Sequence, residues 1–331
     1  VLSAAGASVG LGNIWRFPYL AAKYGGGIFL LIYIILALTF GYSMIVAETA
    51  LGRMTKKSPV GAFGTFGKSK WLSLGGWINA IIPVLIVPYY SVIGGWVIKY
   101  LVEYVKGNSQ TLAEDGYFSA FISDGFSTEA CFLFFTLLTL MIIYAGVQNG
   151  VERVSKVMMP ILVILCVVIA VFALTIDGAL AGLKYYLLPD FSKFSSATVL
   201  GALGQLFYSM SLAMGIMITY GSYMKKEDNI EKSVRQIEIF DTGIALLAGL
   251  IIIPSVVAFN GGSADGINAG PGLMFITLPQ VFNAMGSIGG VVGTLFFLLV
   301  FFAAITSSIS LMETVVSMVR DKFHWNRVVT T

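Results

Sequence analysis

Charged residues are scarce in this chain. Aspartate, glutamate, lysine and arginine together make up 11% of its 331 residues, less than half of the roughly 25% found in a typical soluble domain. Histidine occurs once and cysteine twice, so the sequence offers neither a multi-histidine metal site nor a disulfide framework. The net charge of +3 is spread over loops and forms no basic patch for nucleic acid. These shortages exclude an ordinary soluble domain.

Apolar residues take the place of the missing charges. They make up 57% of the chain, and the mean hydropathy is +0.87. A helix of about 20 residues crosses the roughly 30 Å hydrocarbon core of a bilayer, and uncharged runs of that length recur throughout the sequence. The sequence therefore predicts an all-α polytopic membrane protein with a single transmembrane domain over 1–331. We predict eight spans, at about 1–22, 28–52, 72–104, 128–148, 151–176, 195–224, 230–259 and 287–320.

The distribution of lysine and arginine predicts the orientation of these spans. Both residues concentrate in the loops that follow spans two, four, six and eight, which places those loops in the cytoplasm. Because the chain opens in apolar sequence without a charged leader, we expect it to begin inside its first span. The uncharged run 266–312 is too long for one helix, and we expect prolines and glycines to break it into an external loop that folds back toward the membrane centre and then enters span eight. The residues expected to break it are Pro271, Pro279, Gly270, Gly272, Gly286, Gly289 and Gly290.

Small and polar residues interrupt two of the predicted spans. The interrupting residues are Gly6, Gly10, Gly12 and Asn13 in span one, and Ser209, Ser211 and Gly215 in span six. Glycine inside a helix costs about 1 kcal/mol relative to alanine, and backbone groups freed at membrane depth need polar partners. Two such breaks are typical of transporters with discontinuous helices. Close helix packing through small residues is the alternative interpretation.

Polar partners for these breaks lie in spans seven and eight. Asp241 is near the start of span seven, where an ionisable side chain is costly and is by default a functional candidate. The cluster in span eight consists of Thr306, Ser307, Ser308 and Ser310. Such oxygens suit a hard cation, although serine and threonine often bond back to their own helix. We interpret Glu48 and Glu313, also near membrane depth, as hydrogen-bonding partners of neighbouring helix ends.

Four segments of the chain resemble the neurotransmitter:sodium symporter family. They are GLGNIWRFPYLAAKYGGGIF (10–29), the pair Tyr89–Tyr90, GQLFYSMSLAMG (204–215) and AAITSSISLMETV (303–315). The resemblance extends over the whole chain, and NIWRFPY is highly specific. It implies an inverted-repeat transporter fold with discontinuous first and sixth helices, truncated here after the eighth span. The lack of paired cysteines in the second external loop resembles bacterial members, which implies a multi-pass protein of the bacterial inner (plasma) membrane.

The resemblance implies two sodium sites. The residues implied for the first site are Ser8 (through its carbonyl), Asn13, Ser209 and Asp241, together with the substrate carboxylate. The residues implied for the second site are Gly6, Val9 and Ala303 through their carbonyls, with Thr306 and Ser307 through their hydroxyls.

The resemblance also implies a substrate pocket and two gates. The substrate carboxylate would lie on backbone amides near Gly10 and Gly12 and on the hydroxyl of Tyr90. The carbonyls implied for the amino group are those of Ser8, Tyr208 and Ser211. The residues implied for side-chain specificity are Val87, Tyr208, Met214 and Leu311, with Ser211 and Ser307 beside them. The residues implied for gating are Arg16 and Tyr208 on the outer side and Tyr223 and Asp321 on the inner side.

Two departures from the family pattern indicate the substrate. Gly10 stands where the family's monoamine carriers have an aspartate, so the substrate is expected to bring its own carboxylate, as an α-amino acid does. Met214 replaces the more usual aromatic residue, and methionine is adaptable, so a broad apolar pocket is expected.

A third departure bears on chloride. Asp241 stands where many relatives have asparagine. Tyr33, Gln205 and Ser209 match the residues that hold chloride in chloride-dependent members, but Ala245 lacks the fourth hydroxyl. We hypothesise that the Asp241 carboxylate supplies the negative charge and that chloride is not required.

The resulting hypothesis is a sodium-coupled symporter that imports neutral, hydrophobic or aromatic L-amino acids by alternating access. Its partners would be the amino acid and the lipid bilayer, without nucleic acid, and its oligomeric state stays open. One alternative is a carrier of the amino acid–polyamine–cation group. The segment NIWRFPY argues against this alternative. A sodium-dependent amino-acid sensor that binds without transporting is another. An enzyme is not expected because no nucleophile–base pair or metal cluster is evident, and a channel is disfavoured because the polar residues gather at one site.

Overall fold

The computed structural model describes residues 2–67, 69–263 and 269–331. All regular secondary structure in these ranges is helical, which confirms the prediction of an all-α chain. The α-helices are α1 (Leu2–Ser8), α2 (Phe17–Lys23), α3 (Gly27–Leu36), α4 (Tyr42–Thr55), α5 (Pro59–Gly64), α6 (Lys70–Val105), α7 (Ser109–Leu112), α8 (Tyr117–Ser123), α9 (Gly125–Tyr144), α10 (Arg153–Leu174), α11 (Ala179–Leu187), α12 (Ser196–Ser209), α13 (Ile216–Tyr223), α14 (Ile230–Phe259), α15 (Leu278–Ala284), α16 (Gly289–Phe323) and α17 (Arg327–Thr330). The π-helical turns that lead into α2, α4, α10 and α15 are Gly12–Arg16, Ala37–Gly41, Val147–Glu152 and Leu273–Thr277.

Among the described residues, six helical segments are long and apolar enough to cross a membrane. They are Gly27–Thr55, Lys70–Val105, Gly125–Tyr144, Val147–Leu174, Ile230–Phe259 and Gly286–Phe323. They coincide with six of the predicted spans, which confirms a multi-pass membrane chain. The helix α6 has 36 residues and reaches about 54 Å at about 1.5 Å per residue, well beyond the hydrocarbon core.

The other two predicted spans, 1–22 and 195–224, do not form continuous α-helices. Val1 lies outside the described residues. The first helix stops at Ser8, and regular structure resumes in the π-helical turn at Gly12. The second stops at Ser209 and resumes at Ile216.

The backbone of the second interruption takes an uncommon conformation. Ser211 and Ala213 have φ angles of 54° and 57°, and Gly215 has 72°. Positive φ is uncommon for residues other than glycine, so neighbouring contacts must hold Ser211 and Ala213 in place. Of these positions the sequence analysis had identified Ser211 and Gly215 as interrupting residues, and Ala213 was missed.

The uncharged run 266–312 is interrupted between α15 and α16, where Gly286, one of the predicted residues, has a φ of 70°. Its first three residues lie outside the described residues, and Leu273–Ala284 forms one short apolar helical segment. The expected break at Pro279 was wrong: the proline stands in the first turn of α15, where a missing N–H group is tolerated. The segment packs inward, and Phe275 is fully buried and accepts a hydrogen bond at its carbonyl from Tyr100 Oη (2.8 Å).

The helices α14 and α16 form the centre of the protein. In their most apolar stretches, 61% and 56% of the residues are buried inside the protein, against 17% in α9. The short helix α1 packs on both of them, whereas α12 packs against α3 and the π-helical turn Gly12–Arg16. The first interrupted helix is therefore supported by helices that run on without a break, and the second is supported in part by the first.

Glycines bring α13, the second half of one interrupted helix, against α4. A Cβ atom at Gly52 of α4 would overlap the carbonyl oxygen of Ile218, and one at Gly221 of α13 would overlap the carbonyl oxygen of Thr49. The two helices thus pack backbone against backbone, which only residues without a side chain allow.

We predict that Gly52→Ala destabilises the protein by about 1–3 kcal/mol, because the added methyl group forces α4 and α13 apart. Thermal unfolding in detergent measures the effect. The matched control is Gly243→Ala on α14, where a Cβ meets no atom within 4 Å. This control should be neutral or stabilising by up to about 1 kcal/mol, and equal midpoints for the two variants would contradict the packing described here.

Candidate functional site

A cavity lies between the two helix interruptions. It is lined by Ala7, Ser8, Gly10, Leu11, Gly12, Asn13, Ile86, Tyr90, Tyr208, Ser209, Ser211, Met214, Ile216, Ser307 and Leu311. The structure thus brings together nearly all of the residues implied for the substrate pocket. Val87 is the exception: Ile86 lines the cavity in its place, and Val87 packs, partly buried, against the hydrophobic core. Adjacent residues of a helix point about 100° apart, so this shift by one position changes which side chain reaches the cavity.

Asn13 connects the first interruption to the second and to α14. Its Nδ2 lies 3.0 Å from Ser209 Oγ, 2.8 Å from Asp241 Oδ1 and 3.1 Å from the Asp241 carbonyl. Its Oδ1 accepts a hydrogen bond from the backbone N–H of Gly10 (2.9 Å). Ser209 Oγ also donates to the Asp241 carboxylate, with distances of 2.9 and 3.0 Å to the two oxygens. Asn13, Ser209 and Asp241, all buried, therefore form one hydrogen-bonded cluster from three helices.

The residues that match the family's chloride set surround the same carboxylate only in part. Tyr33 Oη lies 3.4 Å from Asp241 Oδ2. Gln205 instead donates from Nε2 to the Gly12 carbonyl (3.0 Å) and accepts from Arg16 Nη1 (3.0 Å). Its amide therefore adds a second donor at the Gly12 carbonyl, which also accepts the backbone N–H of Phe17.

Ser307 of α16 faces the carbonyl groups at the end of α1. Its Oγ lies 2.9 Å from the carbonyl oxygen of Val9 and 3.3 Å from that of Gly6. The last carbonyls of a helix have no partner within it, so they are free to bind a hydroxyl or a cation. Thr306 Oγ1 bonds back to its own helix, 2.8 Å from the Phe302 carbonyl and 3.2 Å from the Ala303 carbonyl.

The glycines of the first interruption are required by close contacts. A Cβ at Gly10 would lie 2.5 Å from Ser307 Oγ and 2.8 Å from Tyr90 Oη, and one at Gly12 would lie 2.6 Å from the ring of Tyr208. Tyr90 Oη accepts a hydrogen bond from the Leu11 backbone N–H (3.1 Å). The Tyr90 hydroxyl accepts from the backbone on this side of the cavity and keeps its own proton, which it can donate to an anionic group.

The second interruption is held by residues from two sides. Glu48 of α4 accepts a hydrogen bond from the backbone N–H of Ala213 (2.7 Å), in agreement with its interpretation as a partner of a helix end. Ser211 Oγ donates to the Ala7 carbonyl (3.3 Å). These contacts stabilise the left-handed backbone at Ser211 and Ala213.

An aromatic group covers the side of the cavity that is predicted to face outward. The guanidinium carbon of Arg16 lies 5.2 Å from the centre of the Tyr208 ring, and Arg16 also donates to the Gly204 carbonyl (3.1 Å). The hydroxyl groups of Tyr208 and Tyr89 are 2.7 Å apart. Sequence reasoning had named Arg16 and Tyr208 for the outer gate but had not assigned Tyr89 a role.

The inner side is organised around Glu313, which is fully buried. Its carboxylate accepts hydrogen bonds from Tyr223 Oη (2.7 Å) and from the guanidinium group of Arg327, with which it forms an ion pair. Arg327 also donates to the Ile143 carbonyl. Asp321 lies apart from this cluster and accepts from the backbone N–H of Ser58. Tyr223 and Asp321, predicted to share an inner network, therefore have different partners, and Arg327 was missed.

The chain resembles proteins of known family. It matches the profile described as "Sodium:neurotransmitter symporter family" over residues 1–113 and 119–330. It is 38% identical to an uncharacterized sodium-dependent transporter of Bacillus subtilis, over 98% of this chain and 73% of that protein. It is 34% identical to an uncharacterized sodium-dependent transporter of Haemophilus influenzae, over 99% of this chain and 73% of that protein. A similar solved structure is that of MhsT in complex with L-phenylalanine, with a TM-score of 0.89, 36% identity, and coverage of 99% of this chain and 74% of that one.

We predict that Arg327→Gln destabilises the protein by about 3–5 kcal/mol, because it leaves the buried Glu313 carboxylate without its cation. The double variant Glu313→Gln/Arg327→Gln should regain most of the loss. The matched control is Lys156→Gln, which breaks an exposed ion pair with Glu152 (2.9 Å) and should cost less than about 1 kcal/mol. The thermal unfolding midpoints of these variants in detergent test the prediction. A double variant as unstable as Arg327→Gln alone would contradict the stabilising role of the ion pair.

Proposed function

The chain belongs to the sodium:neurotransmitter symporter family, and on that premise we propose that it imports neutral, hydrophobic or aromatic L-amino acids together with sodium by alternating access. As a member of this family it is a sodium-dependent membrane transporter and not an enzyme. The observation that carries the finer proposal is the cluster of Asn13, Ser209 and Asp241 beside the cavity between two interrupted helices. We assign the protein to the bacterial inner membrane, since the relatives with the higher identity are prokaryotic.

The interrupted helices are the first and sixth of eight proposed spans in one transmembrane domain. The breaks at Ser8–Gly12 and Ser209–Ile216 give each of these spans two half-helices. In an inverted-repeat transporter, such half-helices expose backbone N–H groups to an anion and carbonyls to cations near the midplane. The cavity described above has both kinds of group.

The first proposed sodium site lies at the Asn13 cluster. Its ligands are the amide oxygen of Asn13, Ser209 Oγ, the Asp241 carboxylate, the Ser8 carbonyl and the substrate carboxylate. Hard cations prefer oxygen ligands of these kinds. The hydrogen bonds from Ser209 Oγ to the Asp241 carboxylate (2.9 and 3.0 Å) support this site, because they hold a hydroxyl oxygen and two carboxylate oxygens together beside the Asn13 amide.

The second proposed sodium site lies between α1 and α16. Its ligands are the carbonyls of Gly6, Val9 and Ala303 and the hydroxyls of Thr306 and Ser307. The short distances from Ser307 Oγ to the carbonyls of Gly6 and Val9 (3.3 and 2.9 Å) support it. Thr306 Oγ1 adds an oxygen 3.2 Å from the Ala303 carbonyl.

The chemistry of the cavity supports a neutral α-amino acid. The backbone near Gly10 and Gly12 and the Tyr90 hydroxyl would bind the carboxylate, and the carbonyls of Ser8, Tyr208 and Ser211 the amino group. None of the described lining residues carries a charge, so a charged substrate side chain would lose its solvation without compensation. The residues proposed for the apolar pocket are Ile86 in place of Val87, with Tyr208, Met214 and Leu311. The related structure of MhsT with L-phenylalanine agrees with an aromatic substrate.

The proposed coupling supplies ample free energy. Two sodium ions that enter with a neutral amino acid carry two charges, worth about 4.6 kcal/mol at about 100 mV. A tenfold sodium gradient adds about 1.4 kcal/mol per ion, and the total of roughly 7 kcal/mol supports on the order of 10⁵-fold accumulation. In the cycle, Arg16 and Tyr208 would close the outer side. Tyr223 and Asp321 would close the inner side through separate contacts, with Glu313 and Ser58 respectively.

We predict sodium-dependent accumulation of tritiated leucine and tryptophan by proteoliposomes that contain the purified full-length protein. Replacement of external sodium by potassium should abolish it, and each amino acid should compete with the other because both enter one apolar pocket. Lysine serves as the control competitor and should have no effect. Equal uptake in potassium would contradict the sodium sites, and sodium-dependent binding without counterflow would indicate the sensor instead.

We further predict that uptake by the unmodified protein is the same in chloride and in gluconate. Asp241→Asn keeps the shape of the side chain but removes its charge, and should lower uptake in gluconate by at least about tenfold, since opposite charges about 4 Å apart contribute several kcal/mol. Added chloride should restore part of it. The control is Asp190→Asn in the exposed loop after α11. Chloride-stimulated uptake by the unmodified protein would contradict the proposal.

A further inference from the structure

Two neighbouring tyrosines of α6 contact the two interrupted helices separately. Tyr90 is buried and receives the hydrogen bond from Leu11 at the first interruption. Tyr89 is 40% exposed, and its hydroxyl group lies 2.7 Å from that of Tyr208, at the end of α12 before the second interruption. Because successive side chains of a helix diverge by about 100°, one continuous helix reaches both breaks.

The contact between Tyr89 and Tyr208 joins helices that otherwise have different neighbours. The helix α6 packs against α5, α9 and α16, whereas α12 packs against α3 and the π-helical turn Gly12–Arg16. A hydrogen bond between the ends of two side chains therefore connects two groups of helices above the cavity.

The ring of Tyr208 is positioned independently of its hydroxyl group. Arg16 lies over one face of the ring at 5.2 Å, and the ring covers Gly12, where a Cβ would lie 2.6 Å from it. A phenylalanine at position 208 would keep both contacts. The hydroxyl group is therefore not needed to position the ring, and its described contact is the hydrogen bond with Tyr89.

We propose that Tyr89 and Tyr208 form a latch, in which their hydrogen bond holds the outer cover of the cavity closed, and that Tyr89 is thereby a gating residue. The inference rests on the proposed transport function. A bond between two neutral hydroxyl groups at the edge of solvent is weak, which suits a cover that must open in every cycle. Tyr89 acts through Tyr208 and is a positioning residue.

The test is a double-mutant cycle of Tyr89→Phe, Tyr208→Phe and the two together. The measurement is the rate at which tritiated leucine, bound in sodium, leaves the purified protein during a chase with unlabelled leucine. Each single variant should release the ligand about fivefold faster, which corresponds to about 1 kcal/mol. The double variant should also release it about fivefold faster, because either substitution already removes the bond. Tyr144→Phe, at an exposed tyrosine that ends α9, is the matched control and should not change the rate.

Two results would overturn the latch: unchanged release in both single variants, or effects that multiply to about 25-fold in the double variant. A second measurement separates the latch from the proposed substrate. Leu311→Cys places a thiol on the cavity wall, and its rate of labelling by an external thiol reagent needs no bound amino acid. If leucine fails to bind with sodium, the proposed function fails, while faster labelling in both tyrosine variants still supports the latch. Labelling at the rate of the Leu311→Cys parent would refute it.

Discussion

The structure depends on one constraint: the backbone groups freed at the two helix interruptions must find hydrogen-bonding partners where no water is at hand. At the first interruption, Asn13 Oδ1 accepts from the N–H group of Gly10, and Ser307 Oγ donates to the carbonyl of Val9. Gln205 Nε2 adds a second hydrogen bond at the carbonyl of Gly12. At the other interruption Glu48 takes the N–H group of Ala213. These side chains are buried, so water cannot replace them as hydrogen-bonding partners. The interruptions therefore persist only while these side chains keep their positions.

Two of these four partners come from helices that are not interrupted at the site: Glu48 from α4 and Ser307 from α16. The other two, Asn13 and Gln205, lie in the interrupted helices themselves. The interrupted helices thus acquire their shape in part from rigid neighbours. A movement of α16 relative to α1 would separate Ser307 from the carbonyls of Gly6 and Val9, and the proposed alternating access would need a change of this kind. The polar groups that maintain the breaks are also those proposed to bind the ions, so occupancy and backbone shape are coupled.

The sequence allowed the spans to be predicted, because length and apolarity alone decide which helices cross a bilayer. It also located the interruptions, since glycine and serine are costly in the middle of an apolar helix. Three features could not be read from it. The left-handed conformation of Ala213 is imposed by Glu48, far away in the chain. The choice of Ile86 over Val87 depends on the rotation of α6. The Glu313–Arg327 ion pair forms only after the chain turns back beyond α16.

Because Tyr89 and Tyr90 are adjacent and have different partners, α6 is sensitive to insertions and deletions. An insertion or deletion of one residue in α6 would rotate everything beyond it by about 100°, and both tyrosines would leave their partners together. Loops at the ends of this helix can lengthen freely, since loop closure depends only weakly on length. The interior of α6 therefore cannot change in residue number without loss of both contacts, and related sequences should align through it without gaps.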